Sequence, residues 1–370
     1  MEIQQWQTRQ DGLDCLVRAT APMPAVPLPE DHVLVKIHNV SLNYRDTEVC
    51  MGLYSHHRSV AVGGPEPLVP CSDMCGTVVA VGSGLEIDFK VGDRVVSVFN
   101  HLQRTGHMRP EYIKSAGLGL PLNGVLQTHY LFPSIGLLPA PEYLTDAEAC
   151  CLPIASLTAW MSLQVAEAGL NYKAESPDSR LKGKIVVAQG TGGVSIAGVQ
   201  IAKAAGATVI VTSSSDAKLE TARSLLGADH LINYKTTPQW ADAVLAATDG
   251  YGADFILENG GAGTLRQSFD AVAFGGVINC IGYLGGKTTK KGQEEEEDHA
   301  VSVLALRRNM TLRGIMNGPR DRFEEMLGFY EQHKIKPVVH RVFPFNESPA
   351  ALQYLFSGQH FGKVVIQVAE

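Results

Sequence analysis

Continuous apolar runs and helix-like patterns alternate through the middle of the chain, most clearly around a cluster of glycines. An apolar run at 185–188 leads to Gly190, Gly192 and Gly193, and apolar residues at helical spacing follow them. A second apolar run occupies 208–211. Buried strands give short continuous runs and amphipathic helices give a 3.6-residue period, so this order predicts a strand, a glycine turn, a helix and a second strand.

The same alternation extends over 156–316. Helices are predicted at 156–168, 217–226 and 238–248, and apolar runs with turn residues at their ends separate them. Strands separated by helices of this length predict an α/β fold with a parallel, doubly wound sheet. The block of like charges within 287–299 is expected to be a solvated loop. The further predicted strands lie within 230–234, 254–261, 276–286 and 310–318.

Both ends of the chain have a different pattern, in which short strands and turns predict a small, mostly β domain. Val33, Val35 and Ile37 recur at every second position, and their neighbours other than Leu34 are polar or charged, which predicts a strand with one buried face. Residues 75–99 contain two valine-rich runs joined by a glycine-containing loop, and residues 100–131 are interpreted as loops plus one strand. The C-terminal part is predicted to contain a helix at 321–335 and strands within 337–345 and 362–368.

The composition is that of an ordinary globular protein and excludes several classes. The 370 residues are 45% hydrophobic and 19% charged, and their number suggests two domains. A net charge of -7 and a pI near 6.0 give no basis for expecting nucleic acid or a membrane as partner. No apolar run reaches the roughly 18 residues that span a bilayer, and no signal peptide is recognisable, so a cytoplasmic location is expected. The seven cysteines, an odd number, argue against a disulfide framework.

The glycine turn has the arrangement of a dinucleotide site. Glycines allow a tight turn and let the backbone come close to a pyrophosphate, which then accepts hydrogen bonds from the free N–H groups of the following helix. The third glycine of the G-x-G-x-x-G motif is replaced here by Ser195. Because the turn lies between a predicted strand and a predicted helix, we nevertheless expect a dinucleotide cofactor.

The end of the second strand favours NADPH over NADH. NAD-binding units usually have an acidic residue there, which binds the ribose 2'-hydroxyl. This chain has Ser213 and Ser214 instead, with Lys218 nearby to offer positive charge to a 2'-phosphate. Asp216 leaves NADH as an alternative cofactor. The alternative interpretation of this segment is that the serines cap a helix and that Lys218 is a solvated side chain.

Motifs spread over the whole chain carry a family resemblance. They are NVSLNYRD (39–46), GTVVAVGSG and VGDRV (76–84 and 91–95), ASLTAW (155–160), the glycine turn, and HFGKVVI (360–366). On these motifs the chain resembles the medium-chain dehydrogenase/reductase superfamily. The resemblance implies a GroES-like, mostly β catalytic domain, 1–155 and 317–370, interrupted by a Rossmann domain, 156–316. It also implies an active site in the cleft between the domains.

The resemblance further implies a reaction without zinc. Zinc-dependent members hold a catalytic zinc through a Cys, a His and a second Cys or an acidic residue, and their motifs place Asn43, Ser72 and Ile154 at these positions. These side chains cannot replace thiolate or imidazole, and the cysteines of the structural-zinc loop are missing too. Another metal site could involve Cys71 and Cys75 with His56 and His57, although buried free thiols are the simpler interpretation.

The zinc-independent branch comprises quinone and enoyl reductases, and similarity to it implies the catalytic residues. In that branch an Asn and a downstream Tyr line the site; these are Asn43 and Tyr54 here, with Tyr44 as a neighbouring candidate, while Asp46 is expected to orient the motif. The implied activity is hydride transfer from NADPH to an activated alkene or quinone. Two alternatives stay open: reduction of carbonyls or oxidation of alcohols without zinc, and NADPH sensing without turnover.

The resemblance also implies the remaining cofactor contacts and the partners. We expect a small-molecule substrate and a homodimer that pairs Rossmann edge strands, with 277–285 (VINCIGYLG) as the edge. The expected NADP(H) contacts are Thr158, Gly190, Gly192, Gly193, Val194, Ser213, Ser214, Lys218, Tyr234, Asn259, Gly260, Ile281, Gly282, Tyr283 and Lys363.

Overall fold

The computed structural model describes residues 2–54, 66–163, 180–288 and 300–369. The chain divides into two compact units. Unit 1 consists of Met1–Leu157 and Gly318–Glu370, and unit 2 is the central Thr158–Asn317. Both ends of the chain therefore belong to one unit, and the segment between them forms the other.

The elements are numbered in chain order over the described residues. The strands are β1 (Glu2–Gln7), β2 (Val17–Pro22), β3 (His32–Ser41), β4 (Asp73–Val81), β5 (Arg94–Ser97), β6 (His129–Pro133), β7 (Leu137–Pro139), β8 (Ile185–Gln189), β9 (Thr208–Ser213), β10 (His230–Asn233), β11 (Ala253–Glu258), β12 (Val272–Cys280), β13 (Thr311–Gly314), β14 (Val339–Pro344) and β15 (Lys363–Gln367). The helices are α1 (Tyr44–Cys50), α2 (Pro110–Ser115), α3 (Asp146–Ala149), α4 (Leu157–Leu163), α5 (Gly193–Ala204), α6 (Asp216–Leu226), α7 (Trp240–Ala247), α8 (Leu265–Ala271), α9 (Val301–Arg308), α10 (Arg320–His333) and α11 (Ser348–Phe356).

Unit 2 is a parallel sheet with the strand order β10-β9-β8-β11-β12-β13. All of its strand pairs are parallel, and helices connect most successive strands. The order reverses between β8 and β11, which is the switch point where doubly wound sheets bind ligands. Apolar side chains such as Val187, Ile210 and Ile256 form the core. The prediction of a Rossmann-type parallel sheet is therefore confirmed.

Unit 1 is mostly β, as predicted. Its main sheet has the order β14-β15-β3-β4-β5-β7, and β6 also pairs with β3. The pairs are antiparallel apart from β14 with β15. Val33, Val35 and Ile37 of β3 are fully buried in the core, as their alternation predicted. Strand β3 thus lies at the centre of unit 1, and its C-terminal end leads directly into α1.

Two sequence interpretations were wrong. Residues 100–131, interpreted as loops plus one strand, also contain α2, which begins with Pro110 after Arg109. None of the residues of α2 is buried, so the segment lacks the apolar period that marks a helix. The segment 277–285 is not an edge, because β12 lies between β11 and β13. The edge strands of this sheet are β10 and β13, and β13, the edge next to β12, is short and largely exposed.

Other predicted elements are confirmed where the structure describes them. The helices predicted at 217–226 and 321–335 correspond to α6 and α10. The helix predicted at 156–168 is described up to Leu163, and a π-helical turn, Leu152–Ser156, precedes it. Most of the charged loop at 287–299 lies outside the described residues. No helix in the described ranges is long and apolar enough to cross a membrane.

Candidate active site

The glycine turn of unit 2 leaves room for a ligand. It follows β8, and Gly190 has a φ of 78°, in the left-handed region that favours glycine. An added Cβ at Gly190 or Gly192 would meet no described atom within 4 Å. Gly192 is the N-cap of α5, and Gly193 and Val194 form its first turn. The residues present therefore fit a pyrophosphate, which would accept hydrogen bonds from the first N–H groups of α5.

Ser195 gives the turn a bond that the usual glycine could not make. Its hydroxyl donates to Gln189 O at 2.7 Å and accepts from Asn259 Nδ2 at 3.1 Å. Close packing between helix and strand is provided one turn later by Gly198, where a Cβ would lie 2.5 Å from Leu257 Cδ2. Ser195 therefore links the glycine turn to the loop after β11, and Gly198 supplies the small residue that the helix–strand contact requires.

The sequence interpretation missed Glu258, the buried last residue of β11. Its Oε1 accepts the N–H groups of Gly260 at 2.9 Å and Gly261 at 3.0 Å. Its Oε2 accepts from Gln189 Nε2 at 2.7 Å and from the Ser268 hydroxyl. A carboxylate that accepts several hydrogen bonds is well stabilised in a buried site. Glu258 thus fixes the loops after β8 and β11 to each other, which no local sequence pattern indicates.

The segment after β9 contains the residues expected to distinguish NADPH from NADH. Ser213 ends β9, and the next serine but one, Ser215, caps α6 by accepting from Lys218 N at 3.4 Å. The carboxyl group of Asp216 accepts from Asn233 Nδ2 at 2.7 Å. Burial lowers the pKa of the Lys218 amine. The acidic residue of this segment is thus engaged by an amide of the neighbouring strand.

Most predicted cofactor contacts lie at the carboxyl edge of the parallel sheet. Ser213 and Ser214 follow β9, and Tyr234 follows β10 with 43% of its surface exposed. Two predicted residues lie elsewhere. Thr158 belongs to the first turn of α4, with its hydroxyl 3.5 Å from Asn317 Oδ1, and Lys363 belongs to unit 1. The remaining predicted contacts, which follow β11 and β12, are Asn259, Gly260, Ile281, Gly282 and Tyr283.

In unit 1, Asn43 is fixed at the junction of β3 and α1. It is the N-cap of α1, and its N–H donates to Asp46 Oδ2 at 2.8 Å, forming a capping box with the aspartate. Asp46 is completely buried and Asn43 is 9% exposed. The Asn43 Nδ2 is buried without a hydrogen-bond partner among the described residues. The Asn43 side chain also acts as a longer hydrogen-bond donor to Asp73, which opposes the effect of burial on the pKa of that carboxyl group. Asn43 therefore presents its N–H donors next to a buried carboxyl group.

Tyr54 and Tyr44 differ in their surroundings. The Arg45 guanidinium lies over the Tyr54 ring, 5.1 Å from its centroid, and its NH1 is 3.3 Å from Asp46 Oδ1. Asn43 and Tyr54 are thus joined through Asp46 and Arg45. The Tyr44 ring instead stacks on Phe356, and burial together with Glu48 raises the pKa of its hydroxyl. Of the two tyrosines, only Tyr54 is linked to Asn43 by these contacts.

The residues at the zinc-ligand positions do not fit a zinc ion. The Ser72 hydroxyl donates to Asp73 Oδ1 at 2.7 Å, and Ile154 contributes its backbone N–H to Asp73 Oδ2 at 3.2 Å. Asn43 Oδ1 accepts from the Lys363 ammonium at 2.6 Å. Zinc requires thiolate, imidazole or carboxylate ligands, and none of the three aligned side chains supplies one. The three aligned residues therefore offer no coordination for a metal ion.

Two buried carboxyl groups next to Asn43 have shifted acidity. Burial raises the pKa of Asp46 to about 6, although Arg45 and the Asn43 N–H stabilise its carboxylate. Burial also raises the pKa of Asp73, and the attraction of Lys363 opposes that shift. A carboxyl group with a pKa near 6 can exchange a proton close to neutral pH. The Asn43 region therefore combines hydrogen-bond donors with groups suited to proton transfer.

Of the cysteines and histidines considered as another metal site, the structure describes only the cysteines. Cys71 and Cys75 are buried, and burial raises the pKa of both thiols. Cys75 Sγ donates to Asp146 Oδ1 at 3.5 Å. His56 and His57 lie outside the described residues. Within the described ranges, no group of three or more His, Cys, Asp or Glu side chains could hold a metal ion.

Comparisons with known proteins find two family profiles along the chain. Residues 29–142 match the profile of the alcohol dehydrogenase GroES-like domain, and 193–332 match that of the zinc-binding dehydrogenases. A zinc-type alcohol dehydrogenase-like protein of Schizosaccharomyces pombe is 39% identical over 341 residues, which are 91% of this chain and 90% of that protein.

Two solved structures are similar over nearly the whole chain. A putative alcohol dehydrogenase from Sinorhizobium meliloti 1021 has a TM-score of 0.82 and 37% identity, with 99% of each chain covered. An NAD-dependent alcohol dehydrogenase has a TM-score of 0.81 and 29% identity, with full coverage of both. The family implies a nicotinamide cofactor, which the glycine turn of unit 2 fits. The chain therefore belongs to the medium-chain dehydrogenase/reductase superfamily and is an oxidoreductase.

Proposed function

We propose that this protein is a zinc-independent, NADPH-dependent reductase of activated alkenes or quinones. The observation that carries the proposal is the bonding of the three residues aligned with zinc ligands. Ser72 and Ile154 both donate to Asp73, and Asn43 accepts from Lys363. Alcohol oxidation in this family uses zinc as a Lewis acid, and these residues offer nothing to hold one.

Reduction of an enone requires groups that this chain does have. NADPH, when bound, would supply a hydride for the β-carbon of the enone, and the electron pair of the C=C bond would move toward the carbonyl oxygen. The developing enolate needs a hydrogen-bond donor, and the α-carbon then needs a proton. The Asn43 amide suits the first role, because its Nδ2 is buried without a partner among the described residues. The Tyr54 hydroxyl suits the second.

NADPH is proposed over NADH because of the segment after β9. Ser213 and Ser214 have small hydroxyl side chains, and Lys218 can offer a charge to a 2'-phosphate. Asp216, the one carboxylate there, accepts a hydrogen bond from Asn233. Loss of a charged hydrogen bond costs about 1.5–3 kcal/mol, so Lys218→Ala should raise the KM for NADPH roughly tenfold or more. The KM for NADH should stay unchanged. Lys182 is an exposed lysine before β8, and Lys182→Ala should leave the KM values for NADPH and NADH unchanged.

The test of the reaction is a panel of matched enones, quinones and aldehydes offered to purified enzyme with NADPH. We expect NADPH oxidation with the enones or quinones, and a saturated product with the C=C bond reduced. Consumption with aldehydes alone would contradict the proposal. One equivalent of tightly bound zinc in the purified protein would contradict its zinc independence.

The second candidate is an alcohol dehydrogenase or carbonyl reductase. The names of the similar proteins favour it, since the Schizosaccharomyces pombe relative is called zinc-type alcohol dehydrogenase-like. It predicts aldehyde or ketone turnover in the same panel. Tight NADPH binding without turnover of any acceptor would instead indicate a sensor.

For the assembly, we propose a homodimer formed through the edge strand β13. An edge strand offers unpaired backbone groups to a second copy. The neighbouring helix α9 adds apolar surface, because Leu306 is 79% and Val303 is 41% exposed. A two-fold pairing of β13 with the same strand of another copy would cover this surface and join the two sheets.

A further inference from the structure

We infer that the Lys363 ammonium is the cation of the Asn43 site, which consists of Asn43, Asp46 and Asp73. It supplies there the positive charge that a metal ion would otherwise supply. In this role it is a positioning residue: it holds Asn43 in place and compensates the buried carboxylates of Asp73 and Asp46. This positioning role is separate from the proposed function and from the expected contact of Lys363 with the cofactor. Of the measurements that test this role, only kcat depends on the proposed reaction.

The register of two strands places Lys363 next to Asn43. Strand β15 pairs antiparallel with β3, with Val365 opposite Ser41. Leu42 N donates to Val364 O at 2.9 Å, which continues the pairing to the start of β15. Lys363 Nζ then donates to Leu42 O and to Asn43 Oδ1, both at 2.6 Å. The whole residue is only 5% exposed, so its ammonium is bound by protein groups rather than by water.

The three positions aligned with zinc ligands are connected through two charged groups. Asp73 accepts from Ser72 and Ile154, and Lys363 donates to Asn43. Each of the three positions therefore already has a hydrogen-bond partner. The Asp73 carboxylate binds Ser72 and Ile154, and the Lys363 ammonium binds Asn43. The groups at these positions donate and accept hydrogen bonds, but they do not ligate a metal.

The charges of this region require a cation. Asp46 and Asp73 are each fully buried, and their carboxylates repel each other. Arg45 contacts Asp46 at 3.3 Å, whereas the strongest attraction on Asp73 comes from Lys363. A buried charge whose partner is removed is strongly destabilising. Without Lys363, Asp73 would be left uncompensated, and Asn43 would lose the bond that orients its amide.

The first test is chemical rescue of Lys363→Ala. Truncation leaves a cavity with oxygen acceptors, which a small ammonium ion can enter. By analogy with the loss of other fixed electrostatic contacts, we expect kcat to fall about 100-fold with the best acceptor of the panel. The KM for NADPH should change less than about threefold if the cofactor is bound by unit 2. Ethylammonium should restore part of kcat, and tetramethylammonium, which has no N–H donor, should not.

The same variant gives a readout that needs no substrate. Ethylammonium should raise the thermal midpoint of Lys363→Ala more than that of the wild type, because it binds only the folded variant. Lys184→Ala is the matched control, since it removes a lysine paired with Asp254 at 3.0 Å in unit 2 and leaves an open surface. If no acceptor is turned over by the wild type, the proposed function fails, but this melting experiment still decides on Lys363.

A double variant covers the case in which Lys363→Ala does not fold. Lys363→Met alone should lower the thermal midpoint strongly, and Lys363→Met with Asp73→Asn should recover much of it, because the charge and its partner are removed together. The inference is overturned if the double variant melts no higher than Lys363→Met. It is also overturned if folded Lys363→Ala keeps wild-type kcat, or responds to ethylammonium no more than Lys184→Ala does.

Discussion

The two tyrosines near Asn43 have separate expected roles. Tyr54 contacts Arg45, which in turn reaches Asp46, whereas Tyr44 packs against Phe356. If Tyr54 donates the proton, Tyr54→Phe should lower kcat about 100-fold while the KM for NADPH stays near its wild-type value. Tyr44→Phe is the control and should keep kcat within about threefold. Equal losses in both variants, measured by steady-state kinetics, would contradict this assignment.

Ser195 provides a second prediction at the level of a single hydroxyl. Ser195→Ala removes the bonds to Gln189 O and from Asn259 Nδ2, each worth about 1 kcal/mol. We expect a lower thermal midpoint and an NADPH Kd raised roughly fivefold, because the glycine turn loses one of its hydrogen bonds to the loop after β11.

Ser224→Ala is the control for Ser195→Ala. Its hydroxyl donates to Glu220 O on the exposed face of α6, which is a different helix from the one that follows the glycine turn. It should leave the NADPH Kd unchanged, as measured by fluorescence titration. An unchanged Kd in Ser195→Ala as well would mean that the hydroxyl does not position the turn.

Among the elements, α3 is attached to the sheet of unit 1 by one carboxylate. Asp146 accepts from His38 Nδ1 at 2.8 Å and from Arg94 NH2 at 2.6 Å. These hydrogen bonds, first that of His38, hold the pKa of Asp146 well below its usual range. Since its folded pKa is depressed, the stabilisation is present above the unfolded pKa, near 4, and is lost as the pH falls through the folded value.

Asp146→Asn should therefore melt at a lower temperature than the wild type. The difference should be constant between about pH 5 and 7, because a carboxyl group is ionised there in both the folded and the unfolded chain. The difference should narrow as the pH falls below about 4, because the unfolded wild-type chain then binds a proton at Asp146 that the folded protein does not. Melting curves by circular dichroism over this pH range test it. A difference that widens in acid would contradict the assignment of the stabilisation to Asp146.

The elements that the sequence predicted are those whose apolar pattern is complete within the element. Strand β8, helix α5 and strand β9 are rich in buried apolar residues, so their order could be predicted from the pattern of apolar residues along the chain. Helix α2 has no buried residue and therefore gave no pattern. Strand β1 is mostly polar and is held by backbone pairing with β2, which a local pattern does not indicate.

The candidate site was predictable to the extent that it rests on local motifs. Gly190, Gly192 and the N-cap Asn43 lie where their motifs placed them, at the ends of β8 and β3. The roles of Glu258 and Lys363 were not predictable, because they depend on partners far away in the chain. Glu258 binds Gln189, 69 residues earlier, and Lys363 binds Asn43, 320 residues earlier.

For the whole molecule, the proposed dimer predicts which exposed leucine matters. Leu306 on α9 lies close in the chain to the edge strand β13 and is 79% exposed, while Leu225 on α6 is 59% exposed near the other end of the strand order. Leu306→Glu should shift the protein from dimer to monomer in sedimentation velocity, because a buried unpaired charge opposes association. Leu225→Glu should remain a dimer. A wild-type monomer would contradict the proposed assembly.

The pairing of β15 with β3 also has a consequence for the order in which the protein is synthesised. Asp46 and Asp73 leave the ribosome early, whereas Lys363 belongs to the last strand. At about 5–20 residues per second, the roughly 290 residues between Asp73 and Lys363 take on the order of 15 to 60 s to translate. During that time the two acidic residues have no lysine partner, so burying them is unfavourable. Unit 1 is therefore expected to close around Asn43 only after the residues of unit 2 have been translated.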